Sequence, residues 1–162
     1  MSTTILRILP AALLLALLTA CGPGYTYKKT YELDPEQGWT YADTLAYDFE
    51  VPDSQRIYNL YLRLNHSTAF PYQNLYVRLH TTFPNGQRIS EQVSLELGDK
   101  AGQWLGDCNS RRCELLIPIQ QGAYFNQTGA YRLVVEQYMR ADSLPGLEAV
   151  SFLLEQTADK RG

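Results

Sequence analysis

From residue 25 onward, apolar and polar side chains alternate over short runs separated by glycine, proline, asparagine and aspartate. A period of two is the mark of strands half-buried in a sheet, and the separators are turn formers. The runs predict strands over 25–33, 40–51, 55–65, 74–83, 88–97, 114–119, 130–140 and 147–156. About eight strands without crossover helices predict an all-β fold, an antiparallel β-sandwich in Greek-key or jelly-roll-like order.

Because successive side chains of a strand point to opposite faces, the alternation also assigns a core. Tyr58, Leu60, Leu62 and Leu64 share one face, and Asn59, Tyr61 and Arg63 share the other. Leu75, Val77, Leu79 and Phe83 point inward, leaving Tyr76, Arg78 and His80 outside. Tyr131, Leu133 and Val135 form a further inward stripe, as do Val150, Phe152 and Leu154. Phe83-Pro84-Asn85-Gly86 carries an Asn-Gly hairpin signal, in which both residues tolerate positive φ. Leu144-Pro145-Gly146 reads as another turn.

The N-terminus has a different pattern. Residues 8–18 are apolar, preceded by Arg7 and interrupted by Pro10. A span needs roughly 20 apolar residues, so this run reads as a secretory leader and not as a membrane helix. Its end, Leu18-Thr19-Ala20-Cys21, resembles a bacterial lipobox, in which the cysteine thiol takes diacylglycerol before cleavage. Each buried methylene contributes about 0.8 kcal/mol, and two or more acyl chains give stable attachment. The expected division is a cleaved leader at 1–20, lipidated Cys21 with a short tether at 21–24, a sandwich at 25–158 and a tail at 159–162. The membrane, reached through acyl chains on Cys21, is the first expected partner.

Loss of the leader removes Arg7 from the 14 basic residues, leaving 13 against 17 acidic and a net charge of −4. That balance, with no basic run, argues against nucleic acid as a partner. Cys108 and Cys113 form an even pair in an exported domain, with four polar residues between them. A disulfide closing a tight connection between two strands fits that spacing, and such a small loop contributes about 2 kcal/mol on the chain-entropy estimate. The rivals are a metal site, which needs further ligands, and a redox pair, which favours C-x-x-C spacing.

No Gly-rich phosphate loop, H-E-x-x-H or G-x-S-x-G occurs. His66 reads as a loop residue and His80 as a solvated strand residue. The pairs Asp99/Asp107 and Asp43/Asp48 have nothing that ties them together as acid and base. No metal, cofactor or catalytic residue is expected, and the chain reads as a non-enzyme. If the strands at 55–65 and 74–83 are neighbours, Tyr61, Arg63, Tyr76, Arg78 and His80 share an exposed face. Aromatic and Arg side chains are enriched at interface hot spots and also stack on sugars.

The stretches at 38–51, 58–86, 102–106, 129–140 and 144–150, in this order and spacing, resemble the gliding-motility lipoprotein H family (GldH) of the Bacteroidetes. The resemblance covers essentially all of the mature chain; the Cys108/Cys113 pair lies outside it. It implies an envelope lipoprotein needed for gliding, beside the machinery that moves and secretes surface adhesins, and it brings no catalytic residue. Surface-exported lipoproteins of that phylum commonly carry acidic residues just after the lipidated cysteine, and Gly22-Pro23-Gly24-Tyr25 has none. The expectation is an outer-membrane anchor with the domain in the periplasm. Asp43-Thr44-Leu45 and Asp142-Ser143-Leu144 resemble the short O-glycosylation motif of the phylum, which makes Thr44 and Ser143 the acceptors.

Three functions compete on these residues. A flat or edge-strand surface favours a protein-binding component of the gliding and secretion apparatus. A shallow aromatic strip favours a glycan- or peptidoglycan-binding module. A pocket of convergent carboxylates, or one built on His80, favours a hydrolase.

Overall fold

The structure is a computed structural model that describes residues 24–162. Cys21 and the leader lie outside the described residues. Eleven strands follow in chain order: β1 (Tyr25–Glu32), β2 (Trp39–Thr40), β3 (Leu45–Val51), β4 (Arg56–Ser67), β5 (Asn74–Thr82), β6 (Arg88–Glu96), β7 (Asp107–Cys108), β8 (Arg112–Ala123), β9 (Gly129–Gln137), β10 (Ser143–Leu144) and β11 (Leu147–Lys160). They form a five-stranded sheet ordered β1-β11-β4-β8-β7, a four-stranded sheet ordered β3-β9-β5-β6, and a small β10-β2 ribbon. All pairings are antiparallel.

The long strands pair as a nest: β1 with β11, β3 with β9, β4 with β8, and β5 with β6. This is one long hairpin whose tip is the β5–β6 turn, rolled so that β11 also meets β4 and β9 also meets β5. Such a double-sheet roll is the jelly-roll form of the expected sandwich.

The tip turn differs in detail from the Asn-Gly expectation. Within this turn only Gly86 has positive φ, at 83°; Asn85 does not. The loop closes with Gly86 N–H donating to the Phe83 carbonyl at 2.9 Å and Phe83 N–H donating to Gln87 O at 2.8 Å. Asn85 contributes its side chain instead, its Oδ1 accepting from Gln87 N–H at 3.0 Å.

The expected strand at 40–51 is two strands. Asp43 breaks it: its carboxylate accepts from the Thr40 amide and hydroxyl, each at 2.8 Å, while its carbonyl accepts from the Trp39 indole at 3.0 Å. Trp39 is thereby buried in the core and β2 pairs with β10, away from β3. β11 runs on to Lys160, two residues past the expected end of the sandwich.

The inward stripes hold. Tyr58, Leu62, Leu64, Leu75, Val77, Leu79, Tyr131, Leu133, Val135, Val150, Phe152 and Leu154 are all buried. Leu60 and Phe83 are only partly buried, because both line an opening between the sheets. His66 is corrected: β4 extends through Ser67, and His66 continues its inward row, fully buried and edge-on to Trp104 at 4.6 Å between ring centroids.

Candidate partner-binding surfaces

The five residues expected on one face are divided between two. β4 belongs to the five-stranded sheet and β5 to the four-stranded one, so Tyr61 and Arg63 lie on one outer surface of the sandwich and Tyr76, Arg78 and His80 on the other. Outward parity was correct for all five. Adjacency was not, because alternation is local whereas β4 takes its ladder partners from β11 and β8.

The Tyr61 surface is largely satisfied within itself. The Tyr61 hydroxyl donates to Glu155 Oε2 at 3.0 Å, where Asn59 Nδ2 also donates at 3.0 Å. Desolvation, then the hydrogen bond and charge of Glu155, push the Tyr61 phenol above its ordinary pKa. Arg63 lies 3.5 Å from Glu114, and Arg112 lies 3.0 Å from Glu148. These pairs, with Thr30 and Ser151 bonded hydroxyl to hydroxyl at 2.8 Å, line a polar groove of about 700 Å³.

The opposite surface is built differently. The Arg78 guanidinium lies 4.0 Å over the ring of Tyr138. His80 Nδ1 is 2.6 Å from Ser90 Oγ, and its Nε2 is 3.1 Å from Glu136 Oε2. Serine, imidazole and carboxylate are the components of a hydrolytic triad. Here they form a cross-strand row on an open sheet face, with both ring nitrogens occupied, and they read as a strut across β6, β5 and β9.

Beside that row is a concavity of about 790 Å³ lined by Tyr41, Tyr72, Tyr76, Gln92, Tyr138 and Met139. Tyr41, Tyr76 and Tyr138 are 52%, 39% and 43% exposed. Buried Gln137 holds its rim in place: its Oε1 accepts from Met139 N–H and its Nε2 donates to Ala141 O, each at 2.9 Å. Tyr138 N–H donates to Tyr76 O at 2.8 Å, Tyr76 N–H points at Met139 Sδ at 3.3 Å, and the Tyr41 hydroxyl donates to Met139 O. The sequence reading missed Tyr41, Tyr72, Tyr138 and Met139. Tyr138 was within reach, since it continues the outward row Arg132, Val134, Glu136 of a predicted strand. Tyr41 and Tyr72 sit in connections, where alternation has no meaning.

Cys108 and Cys113 are disulfide-bonded, directly opposite each other in the β7–β8 ladder. The Asn109 side chain closes the connection, accepting from the amides of Arg111 at 2.9 Å and Arg112 at 3.0 Å. Thr44 is exposed in the turn before β3, and Ser143 is half-buried in β10. Among the described residues no three His, Cys, Asp or Glu side chains are grouped to hold a metal, and no helix is long and apolar enough to cross a membrane. His66 is held neutral: burial pushes its imidazole below the ordinary histidine range, opposed by its bond to the Ser67 carbonyl and by Glu148. Its Nδ1–H donates to Ser67 O at 2.9 Å, leaving Nε2 buried without a hydrogen-bond partner.

The sequence pattern of the GldH lipoprotein family matches residues 26–153, the span from β1 through most of β11. The chain belongs to the GldH lipoprotein family. A GldH homolog of Christiangramia forsetii, described as a gliding motility lipoprotein, is 23% identical over 138 residues, covering 80% of this chain and 85% of the relative. The gliding motility lipoprotein GldH of Flavobacterium johnsoniae is 24% identical over 125 residues, covering 73% and 77%. Solved structures are more distant. The infectious bursal disease virus VP2 subviral particle has a TM-score of 0.34 at 12% identity, over 82% of this chain and 33% of that one. The Eiger TNF of S. frugiperda has a TM-score of 0.30 at 12% identity, over 86% and 91%. Scores this low carry nothing beyond themselves. GldH membership makes the chain a membrane-anchored lipoprotein of the cell envelope.

Proposed function

We propose that this GldH protein is a non-enzymatic, protein-binding component of the gliding apparatus, held to the outer membrane through lipid on Cys21 with its domain in the periplasm. The names of its relatives support the gliding role, and the absence of acidic residues after Cys21 supports the orientation. Protease shaving of intact cells tests that orientation; loss of the domain would overturn it.

The observation that carries the binding role is the basin at Tyr41, Tyr72, Tyr76, Tyr138 and Met139, with Arg78 stacked at its edge. Tyr, Arg and Met are the residue types enriched where proteins dock, and truncating a hot-spot residue costs about 2 kcal/mol or more. Arg78 is already ordered by Tyr138, so less side-chain entropy is lost on binding. The paired substitution Arg78→Ala with Tyr138→Ala should abolish surface spreading while leaving membrane attachment and the unfolding transition intact. Unchanged spreading would remove the basin from the function. A second reading rests on the same rings: tyrosine faces also stack on sugars, and a peptidoglycan sedimentation assay that retained the wild type but not the paired variant would favour it. Thr44 and Ser143 are proposed O-glycosylation sites, tested by the mass of the protein purified from its own envelope.

A further inference from the structure

On the side of the sandwich away from β1 and β3, both sheets end in unpaired backbone. Among the described residues β6 is the last strand of its sheet and pairs only with β5. β8 is covered only at Cys113 and Glu114 by the two-residue β7, so its outer edge over 115–123 is free among the described residues. The sheets also part between these edges. A cleft of about 220 Å³ opens there, lined on one side by Leu79, Phe83 and Ile89 and on the other by Leu60, Ile119 and Phe125. Ile89 points into it from β6 and is 46% exposed, and Glu91, the next inward residue of β6, is exposed at its lip.

Free ladder edges and an apolar slot between them make one combined demand. The edges call for extended backbone, since a row of unsatisfied N–H and C=O groups is answered by another strand. The slot calls for apolar side chains at alternate positions, the spacing a strand supplies. Its volume is below the roughly 300–1,000 Å³ that encloses a drug-sized ligand. A small apolar molecule would moreover leave both edges unpaired. A second copy pairing through β6 fits poorly: Leu95 is buried and Val93 partly buried in its own sandwich, so neither can enter the slot of a neighbour. Glu91 supplies the charge selection. An inward-pointing charge on an edge strand repels indiscriminate pairing, and only a strand with a cation opposite it satisfies the carboxylate.

We propose that the β6–β8 side is a strand-acceptor site: an extended peptide adds antiparallel to β6, buries apolar side chains in the cleft, and sets a Lys or Arg against Glu91. The site is separate from the tyrosine basin, and either can fail without the other.

The test uses the full-length lipoprotein in detergent with the synthetic peptide Thr-Ala-Thr-Val-Thr-Lys-Thr-Leu-Thr, which puts Leu opposite Ile89 and Lys opposite Glu91. Hydrogen exchange should slow across Arg88–Glu96 on addition of the peptide. Glu91→Lys, at an exposed position that leaves folding untouched, should weaken binding about tenfold and shift preference to the peptide with Glu in place of Lys. Arg78→Ala with Tyr138→Ala should change neither result. Three outcomes would overturn the proposal: no slowing at β6, slowing indifferent to Glu91→Lys, or slowing that follows protein concentration without peptide, which would mean that a second copy occupies the edge.

Discussion

The two long sides of the roll are finished in opposite ways. Along the β1/β3 side, Lys29 sits in the inward row of β1, and its Nζ donates to the Tyr31 hydroxyl at 2.7 Å and the Ala46 carbonyl at 2.9 Å. Tyr31 adds a bond from its hydroxyl to the same carbonyl at 2.7 Å, and its ring packs edge-on against Tyr47 at 5.3 Å. Two side chains of one sheet thus occupy a backbone acceptor on the edge of the other. The hydrogen bond to Tyr31 is the main cause that raises the Lys29 pKa above its ordinary value. Along the β6/β8 side, Ile89 and Tyr124 stay largely exposed and the core opens into the cleft. Both sides pose the same problem of free backbone at a sheet margin. One is closed by an inward charge that finds partners within the fold; the other holds an inward charge, Glu91, that forms no ion pair among the described residues.

The contrast is sharpest between two tyrosines. Tyr47, on the closed side, is fully buried between Tyr31 and Phe152, and its hydroxyl donates to Val150 O at 3.0 Å. Tyr47→Ala should therefore destabilise by about 3–5 kcal/mol in urea unfolding. Tyr124, on the open side, is 52% exposed, and Tyr124→Ala should cost less than about 1 kcal/mol. Equal losses would end the distinction between the two sides.

The Cys108–Cys113 bond ties down one end of the open side, since it holds β7 against the outer edge of β8. Reducing it should cost about 2 kcal/mol and speed amide exchange at the start of β8 while leaving β1 unchanged. Lys29→Ala removes the inward charge that closes the other side. It should cost about 1 kcal/mol, read from the urea midpoint at constant slope. A smaller effect belongs to His66, which sits opposite Cys113 in the β4–β8 ladder. Its imidazole is depressed in the folded state, so the unfolded chain binds the proton more readily. Stability should be full above the unfolded pKa near 6.5 and fall as pH drops below it through the lowered folded value, visible as a declining melting temperature. His66→Gln should flatten that decline.

Much of this was readable in the sequence, and the part that was not has a physical reason. Alternation set the inward faces of β4, β5 and β9 because burial selects every second residue; in β11 the inward row was also right, although Ala149 to Leu154 are buried on both faces. It could not place β4 and β5 in different sheets, because nested pairing joins residues as far apart as Tyr25 and Glu155. Lys29 stands beside Lys28 as an isolated basic pair in the sequence, although parity puts it in the same row as Tyr27 and Tyr31. A charge in an inward row is easily dismissed without knowing that its strand is an edge. His66 failed similarly: the row Tyr58, Leu60, Leu62, Leu64 continues into it, but polarity suggested a loop. The tyrosine basin was half legible. Tyr76 and Arg78 came from parity, whereas Tyr41 and Tyr72 are brought in by connections whose course no local pattern encodes.

The pairing of β1 with β11 has a mechanical consequence. β1 is the first strand of the described residues, and it is laddered from Tyr27 to Glu32, with a bulge before it at Tyr25, against the most deeply buried strand of the domain. A pull delivered at Tyr25 along the strand axis loads every rung of that ladder in shear at the same moment, whereas a peeling force would break the rungs one after another. Held through lipid on Cys21, as proposed, the domain would resist drag with its whole first ladder, and its mooring end would also be its clamp.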